Sequence, residues 1–297
     1  MIDLLSIFSA QPDMIEARIL LSLVGIGVFT YYDLANNKNI PAEVCYAFLG
    51  LAIVFTILFP SVWFAAVFVL IFALVFTVPF YFAGQIGGAD IFAMASLAIL
   101  LPVLNNPILV QSNSNQYSFP VLFNTLLYAF FFFIIYMLYK FVPKMSTLLA
   151  QGKIKFSNKK IVYAVFYGVI YGTILFLLAY LNLNVSFTIL GGMLFAALAT
   201  IFFVLFREEI NSTLVNYLEL SKITEEDVLA TEMMEQWLVS KYKLPRLLKA
   251  RDLETLKRIA KEERIDKFPI YTGYPPFMPF IAIGFLLAVL FGNLFLL

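Results

Sequence analysis

ARILLSLVGIGVFTYYDLANNKNIPAEV, residues 17–44, decides how this chain is read. From Ala17 to Tyr32 it is almost wholly apolar, and it ends on a carboxylate, Asp33. A membrane-crossing helix needs about 20 largely apolar residues. The linker Leu34–Ile40 is polar and short, and Pro41 opens a second apolar run, so the two runs form an antiparallel helical hairpin. On the first run Ser22, Ile26 and Thr30 recur near the face of Asp33 by the 3.6-residue period. That stripe is more polar than its surroundings, so Asp33 is expected to point into a bundle rather than to lipid.

The whole chain has the same character. Apolar residues make up 62% and charged ones 13%, against nearly one half and one quarter in a globular domain. This excludes an ordinary soluble protein and indicates a polytopic membrane protein. There is no histidine. That removes Ser-His and Cys-His catalysis and the usual imidazole metal ligands. The single cysteine, Cys45, allows neither an intramolecular disulfide nor a paired-cysteine zinc site; it reads as a small buried apolar residue. The net charge of +1 says nothing about partners.

Eight apolar runs are candidates for spans: Ala17–Tyr32, Glu43–Phe59, Val62–Phe82, Ile91–Leu104, Pro120–Phe141, Ile161–Leu181, Val185–Phe206 and Pro276–Leu297. The fourth is short unless its helix starts at Gly88 or Ala89, which puts Asp90 in the first turn. With the N-terminus outside and the spans alternating, the inside segments are 33–42, 83–90, 140–160 and 207–275. They hold one basic residue (Lys38), none, six and twelve, leaving only Arg18 outside. Cytoplasmic loops carry such an excess. Asp33 and Asp90 then share the cytoplasmic face. The expected fold is an all-α transmembrane bundle of about eight spans. Residues 1–16 form an external interfacial segment and 17–143 a membrane core with both aspartates. Residues 144–206 add a basic loop and two spans, 207–275 a small cytoplasmic helical segment, and 276–297 the last span.

Acidic residues narrow the search for a site. Three precede the first span and thirteen lie in 207–270, which leaves Asp33, Glu43 and Asp90. Ionisable groups in or beside spans are costly and usually functional. Glu43 has a structural explanation: an acid in a first turn complements the helix dipole. Gly168-xxx-Gly172 and Gly192-xxx-Ala196-xxx-Thr200 read as internal helix packing. In the polar segment, Thr224-Glu225-Glu226-Asp227 reads as an N-cap leading into a helix over Val228–Val239, and Asp252–Arg264 has helical periodicity. Its first half is acidic and its second basic, as suits a solvated mixed-charge domain; the basic half also suits anionic headgroups and the acidic half a cationic peptide. Tyr274-Pro275-Pro276-Phe277-Met278-Pro279-Phe280 contains three prolines, which puts the start of the last helix near Phe280. Irregular backbone at that depth is tolerated where protein or water satisfies it, so this stretch is a candidate lining of a site.

Two carboxylates brought together resist ionising at once and share a proton. The ionised one takes a proton from water; the other donates to a substrate carbonyl oxygen and later to the leaving amine. No metal or cofactor is needed. The glycines Gly87 and Gly88, before Asp90, are expected to let the backbone turn tightly and an extended substrate approach.

Tyr31-Tyr32-Asp33 followed by Ile40-Pro41, and Ile86-Gly87-Gly88-Ala89-Asp90 opening the fourth run, resemble the type IV prepilin peptidase family, most of all its archaeal preflagellin and prepilin branch. The likeness covers about residues 17–104. It implies a catalytic pair, Asp33 and Asp90, with Tyr32, Gly87, Gly88 and Ala89 as positioning residues. It implies peptidase activity on pilin-like or archaellin precursors, cut between a short cationic leader and a hydrophobic helix at the cytoplasmic face of the cell membrane. The partners are those precursors and lipid, not nucleic acid. Ala89 stands where the family's Gly-x-Gly-Asp motif has its second glycine, and the domain with paired cysteines found in methylating relatives is missing. Presenilin-like proteases share Tyr-Asp and Gly-x-Gly-Asp, but on adjacent late spans followed by Pro-Ala-Leu; here the last span offers Phe277-Met278-Pro279-Phe280. A proton- or cation-coupled transporter would show repeats and broken helices near mid-bilayer, and a silent scaffold is the third alternative.

Overall fold

The computed structural model describes residues 12–36, 40–82, 86–105, 107–109, 120–154, 156–180, 187–225 and 227–292. Most of the expected external segment 1–16, Lys38 in the first linker, Gln85, and most of loop 105–119 lie outside the described residues. Eleven α-helices are formed among the described ones: α1 Ile15–Ala35, α2 Ala42–Leu58, α3 Trp63–Phe82, α4 Gly88–Leu100, α5 Val121–Ala150, α6 Asn158–Tyr180, α7 Phe187–Leu205, α8 Arg207–Leu214, α9 Gln236–Tyr242, α10 Ala250–Glu263 and α11 Met278–Phe291. Two strands, β1 Val215–Glu219 and β2 Lys267–Tyr271, pair antiparallel with Val215 opposite Tyr271.

The apolar helices form a membrane-type bundle. Four of them, α1, α3 (with the short turn Pro60–Val62 before it), α5 and α6, are long and apolar enough to cross a bilayer; the α7–α8 pair, bent by 74°, makes a fifth if counted as one broken span. The eight expected spans each fall on a helix, but α2, α4 and α11 have 17, 13 and 14 residues. At 1.5 Å per residue, α4 is about 20 Å long, short of the ~30 Å hydrocarbon core. Its surroundings account for this. Every residue from Ala93 to Leu100 is buried, because α1, α2, α3 and α5 all pack around it. The chain continues past it as an irregular, buried stretch, residues 101–104, which protein rather than lipid encloses.

Helices associate in lipid by close packing, where small residues let backbones approach. A Cβ on Gly25 of α1 would lie 2.0 Å from the Phe48 ring of α2, and one on Gly284 of α11 would lie 2.2 Å from the Thr125 carbonyl of α5. α11 is thereby seated between α1 and α5. The outward faces stay apolar: Leu20 and Val24 on α1, Phe64 and Val75 on α3, Val162 and Val165 on α6 are exposed.

The polar segment departs from the all-helical expectation. β1 and β2 form a small sheet, and Val228 and Leu229 join it through bridges to Leu247 and Ile270. The Thr224 N–H does bond the Asp227 carboxylate at 2.7 Å. No helix follows, because the Leu229 N–H bonds the Arg246 carbonyl and the Val228 carbonyl accepts from Tyr271. The helix begins only at Gln236. The second expected helix is present as α10, with Leu256 and Ile259 on its buried side.

Candidate active site

α1 buries Arg18, Ser22, Gly25, Ile26, Phe29 and Asp33 along one face. Asp33 thus points into the bundle, one turn from the end of α1. Its Oδ2 accepts the backbone N–H of Met278 at 3.0 Å. Met278 is the first residue of α11, so this N–H has no partner within its own helix, and a carboxylate at a helix N-terminus is favoured by the dipole. Thr30, a turn earlier on α1, directs its hydroxyl to the Met278 carbonyl at 3.5 Å. α11 starts two residues before the expected Phe280: Pro279 falls in the first turn, where its missing N–H costs nothing. The proline-rich stretch therefore reaches Asp33 directly.

Asp90 lies in the first turn of α4 and its Oδ2 accepts the Gly87 N–H at 3.0 Å. The two aspartates come from the last turn of α1 and the first turn of α4, and their carboxylates are close enough to act on each other electrostatically. The ends of α1 and α3 and the starts of α2, α4 and α11 lie at this end of the bundle.

The tight glycine turn expected before Asp90 is not formed. Gly87 has φ −78° and ψ 158°, ordinary extended backbone, and Gly88 is helical. A Cβ at Gly87 would sit 3.5 Å from the Asp90 carboxylate, a normal contact. At Gly87 the turn into α4 does not require glycine. Ala89 is helical too, which explains how a residue with a Cβ is accommodated. Tyr32 is partly buried, with its ring edge-on to the exposed Tyr31. Glu43 sits exposed in the first turn of α2, as its dipole role implies, and Cys45 is buried.

The opposite end of the bundle holds a residue that charge counting alone leaves unexplained. Arg18 is fully buried. Its Nε donates to the Asp13 carbonyl at 2.9 Å, Nη1 to the Leu100 carbonyl at 2.8 Å and Nη2 to the Phe59 carbonyl at 2.6 Å. The guanidinium lies over the Phe55 ring. It satisfies carbonyls left open at the ends of α2 and α4, where a cation complements the dipole. Asp13, five residues earlier, adds a favourable charge, but the carbonyl partners at Phe59 and Leu100 leave no side-chain pattern in the sequence.

No protein-family model matches this sequence, and no curated protein or solved structure matches it either.

Proposed function

We propose that the chain is a membrane aspartyl endopeptidase that removes the short cationic leader of type IV pilin-like or archaellin precursors. The observation that carries this reading is the meeting of two carboxylates, Asp33 of α1 and Asp90 of α4, at one end of a membrane-type bundle. In each, a backbone N–H at a helix start holds one oxygen, which fixes the orientation of the carboxylate. Together they share a proton: the ionised member draws a proton from water as it attacks the scissile carbonyl, and the protonated member donates to the carbonyl oxygen and then to the leaving amine. Gly87, Gly88 and Ala89 are the small residues before Asp90 that would admit an extended substrate, and Tyr32 precedes Asp33 on α1. The membrane arrangement that accompanies this reading has eight crossings, the N-terminus outside and both aspartates at the cytoplasmic face. The basic residues of 140–160 and 207–275 support it. A cationic leader would be drawn to that face by the two acids.

One structural feature favours a second reading. Each carboxylate also caps a helix, so the pair suits a scaffold with no chemistry. Co-expression with a pilin or archaellin precursor separates the two. The peptidase yields a shortened product, and neither Asp33→Asn nor Asp90→Asn does so. Absence of product from the wild type with every precursor tried, or cleavage by either variant at the wild-type rate, removes the peptidase reading.

A further inference from the structure

A cleft of about 470 Å³ opens between α8 and the chain that flanks α9, lined by Arg207, Glu208, Asn211, Glu232, Met233 and Arg246. Its two carboxylates already have partners. Glu208 pairs with Lys160 at 3.0 Å. Glu232 accepts the Tyr271 hydroxyl and lies 3.5 Å from Arg246 Nη2. Burial opposes its ionisation, but the Tyr271 hydroxyl and the charges of Arg246 and Arg207 hold the Glu232 carboxyl below its ordinary range. Burial and the same carboxylate push the Tyr271 hydroxyl upward, so it stays a donor to Glu232.

The donors of the cleft are less well satisfied. Arg246 Nε is enclosed and has no acceptor among the described residues, while its guanidinium is held over the Tyr271 ring at 5.5 Å. An enclosed charged donor without an acceptor is costly and calls for a ligand. Arg207 is exposed on the facing wall, within electrostatic reach of Glu232 and Tyr274. Its side chain makes no ion pair among the described residues. Asn211 lies one turn further along the same face of α8. Two guanidinium forks and an amide suit an acceptor-only oxyanion.

We propose that this cleft binds a phosphate group between Arg207, Asn211 and Arg246. Arg207 follows the apolar α7 at the 74° bend, the level at which a lipid headgroup phosphate would sit. A soluble phosphate ester offers the same chemistry. The site is independent of what Asp33 and Asp90 do.

The test uses the purified full-length chain in dodecyl maltoside, which carries no phosphate, with two probes. Phosphatidylglycerol adducts are counted by native mass spectrometry, and sodium phosphate is titrated calorimetrically. Arg207→Gln should weaken binding about tenfold, the loss of one charge-assisted contact, with Tm unchanged. Arg258→Gln, which removes an α10 guanidinium set over Tyr242 of α9, should leave binding unaltered. Binding of the lipid alone assigns the ligand to a headgroup, and binding of inorganic phosphate to a soluble ester; either supports the site provided that Arg207→Gln weakens it. Neither probe binding, or Arg207→Gln and Arg258→Gln behaving alike, overturns the proposal.

Discussion

At one end of the bundle Arg18 is sealed off, and its guanidinium N–H groups are directed at carbonyls of Asp13, Phe59 and Leu100. At the other end Asp33 accepts the Met278 N–H and Asp90 the Gly87 N–H, and the two carboxylates act on each other electrostatically. Both arrangements place charge at helix termini of the favourable sign. They differ in what faces the charge. Arg18 is met by backbone carbonyls on several sides and by the opposite charge of Asp13, which makes it a fastening. Each aspartate caps a helix start, but it also lies within reach of a like charge, which opposes rather than favours the assembly. The difference teaches that a buried charge is read by its partners, not by its rarity.

The contrast is sharpened first by isosteric replacement. Asp33→Asn keeps an oxygen for the Met278 N–H but cannot ionise. On the proposed peptidase reading, cleavage of a precursor should fall by roughly 10²–10⁴-fold, the scale of lost general acid–base catalysis, while the melting temperature in detergent stays near that of the wild type. A matching loss of stability would make Asp33 a fastening like Arg18. Arg18→Met should do the reverse. It leaves buried carbonyls without donors and should lower stability by about 3–5 kcal/mol, read as an earlier unfolding midpoint in denaturing detergent. A change within 0.5 kcal/mol, roughly the size of an ordinary surface substitution, would show that the enclosure is not maintained.

A smaller effect tests how the two ends are held in register. Gly284→Ala places a methyl where the Thr125 carbonyl stands, and overpacking of this kind costs about 1–3 kcal/mol. It should also reduce cleavage, because α11 carries the N–H that holds Asp33; unchanged stability would mean that α5 yields easily. The smallest effect is expected at Ala89→Gly. Glycine lowers helix stability by about 1 kcal/mol or less, and cleavage should stay within about twofold of the wild type. A large gain in cleavage would show that the Cβ of Ala89 obstructs substrate.

Much of the bundle was legible in the sequence. The 3.6-residue spacing of Ser22 and Ile26 with Asp33 marked the inward face of α1, and those three residues are buried. Hydropathy located every apolar helix, because lipid and protein interiors demand the same composition. Length was less legible. α4 looks like a marginal span in sequence, and only its enclosure by neighbouring helices accounts for thirteen residues. Arg18 read as a stray external cation, since its partners are backbone carbonyls that no side-chain pattern reports. The sheet was missed for a local reason. β2 contains Pro269, a residue that argues against a strand, and β1 has only five residues. For the candidate site, the two aspartates were visible as acids without a reason to be there. The Met278 N–H was not, because proline positions located its helix two residues too late.

The contact between Asp33 and Met278 joins residues 245 positions apart. At 5–20 residues per second, the ribosome delivers the two roughly 10–50 s apart. During that interval α1 and α4 can already lie side by side, yet Asp33 still lacks the N–H that orients it. A nascent chain therefore carries both aspartates without the finished arrangement. Completion of the pair is tied to the arrival of the helix that begins at Met278, a timing built into the order of the chain.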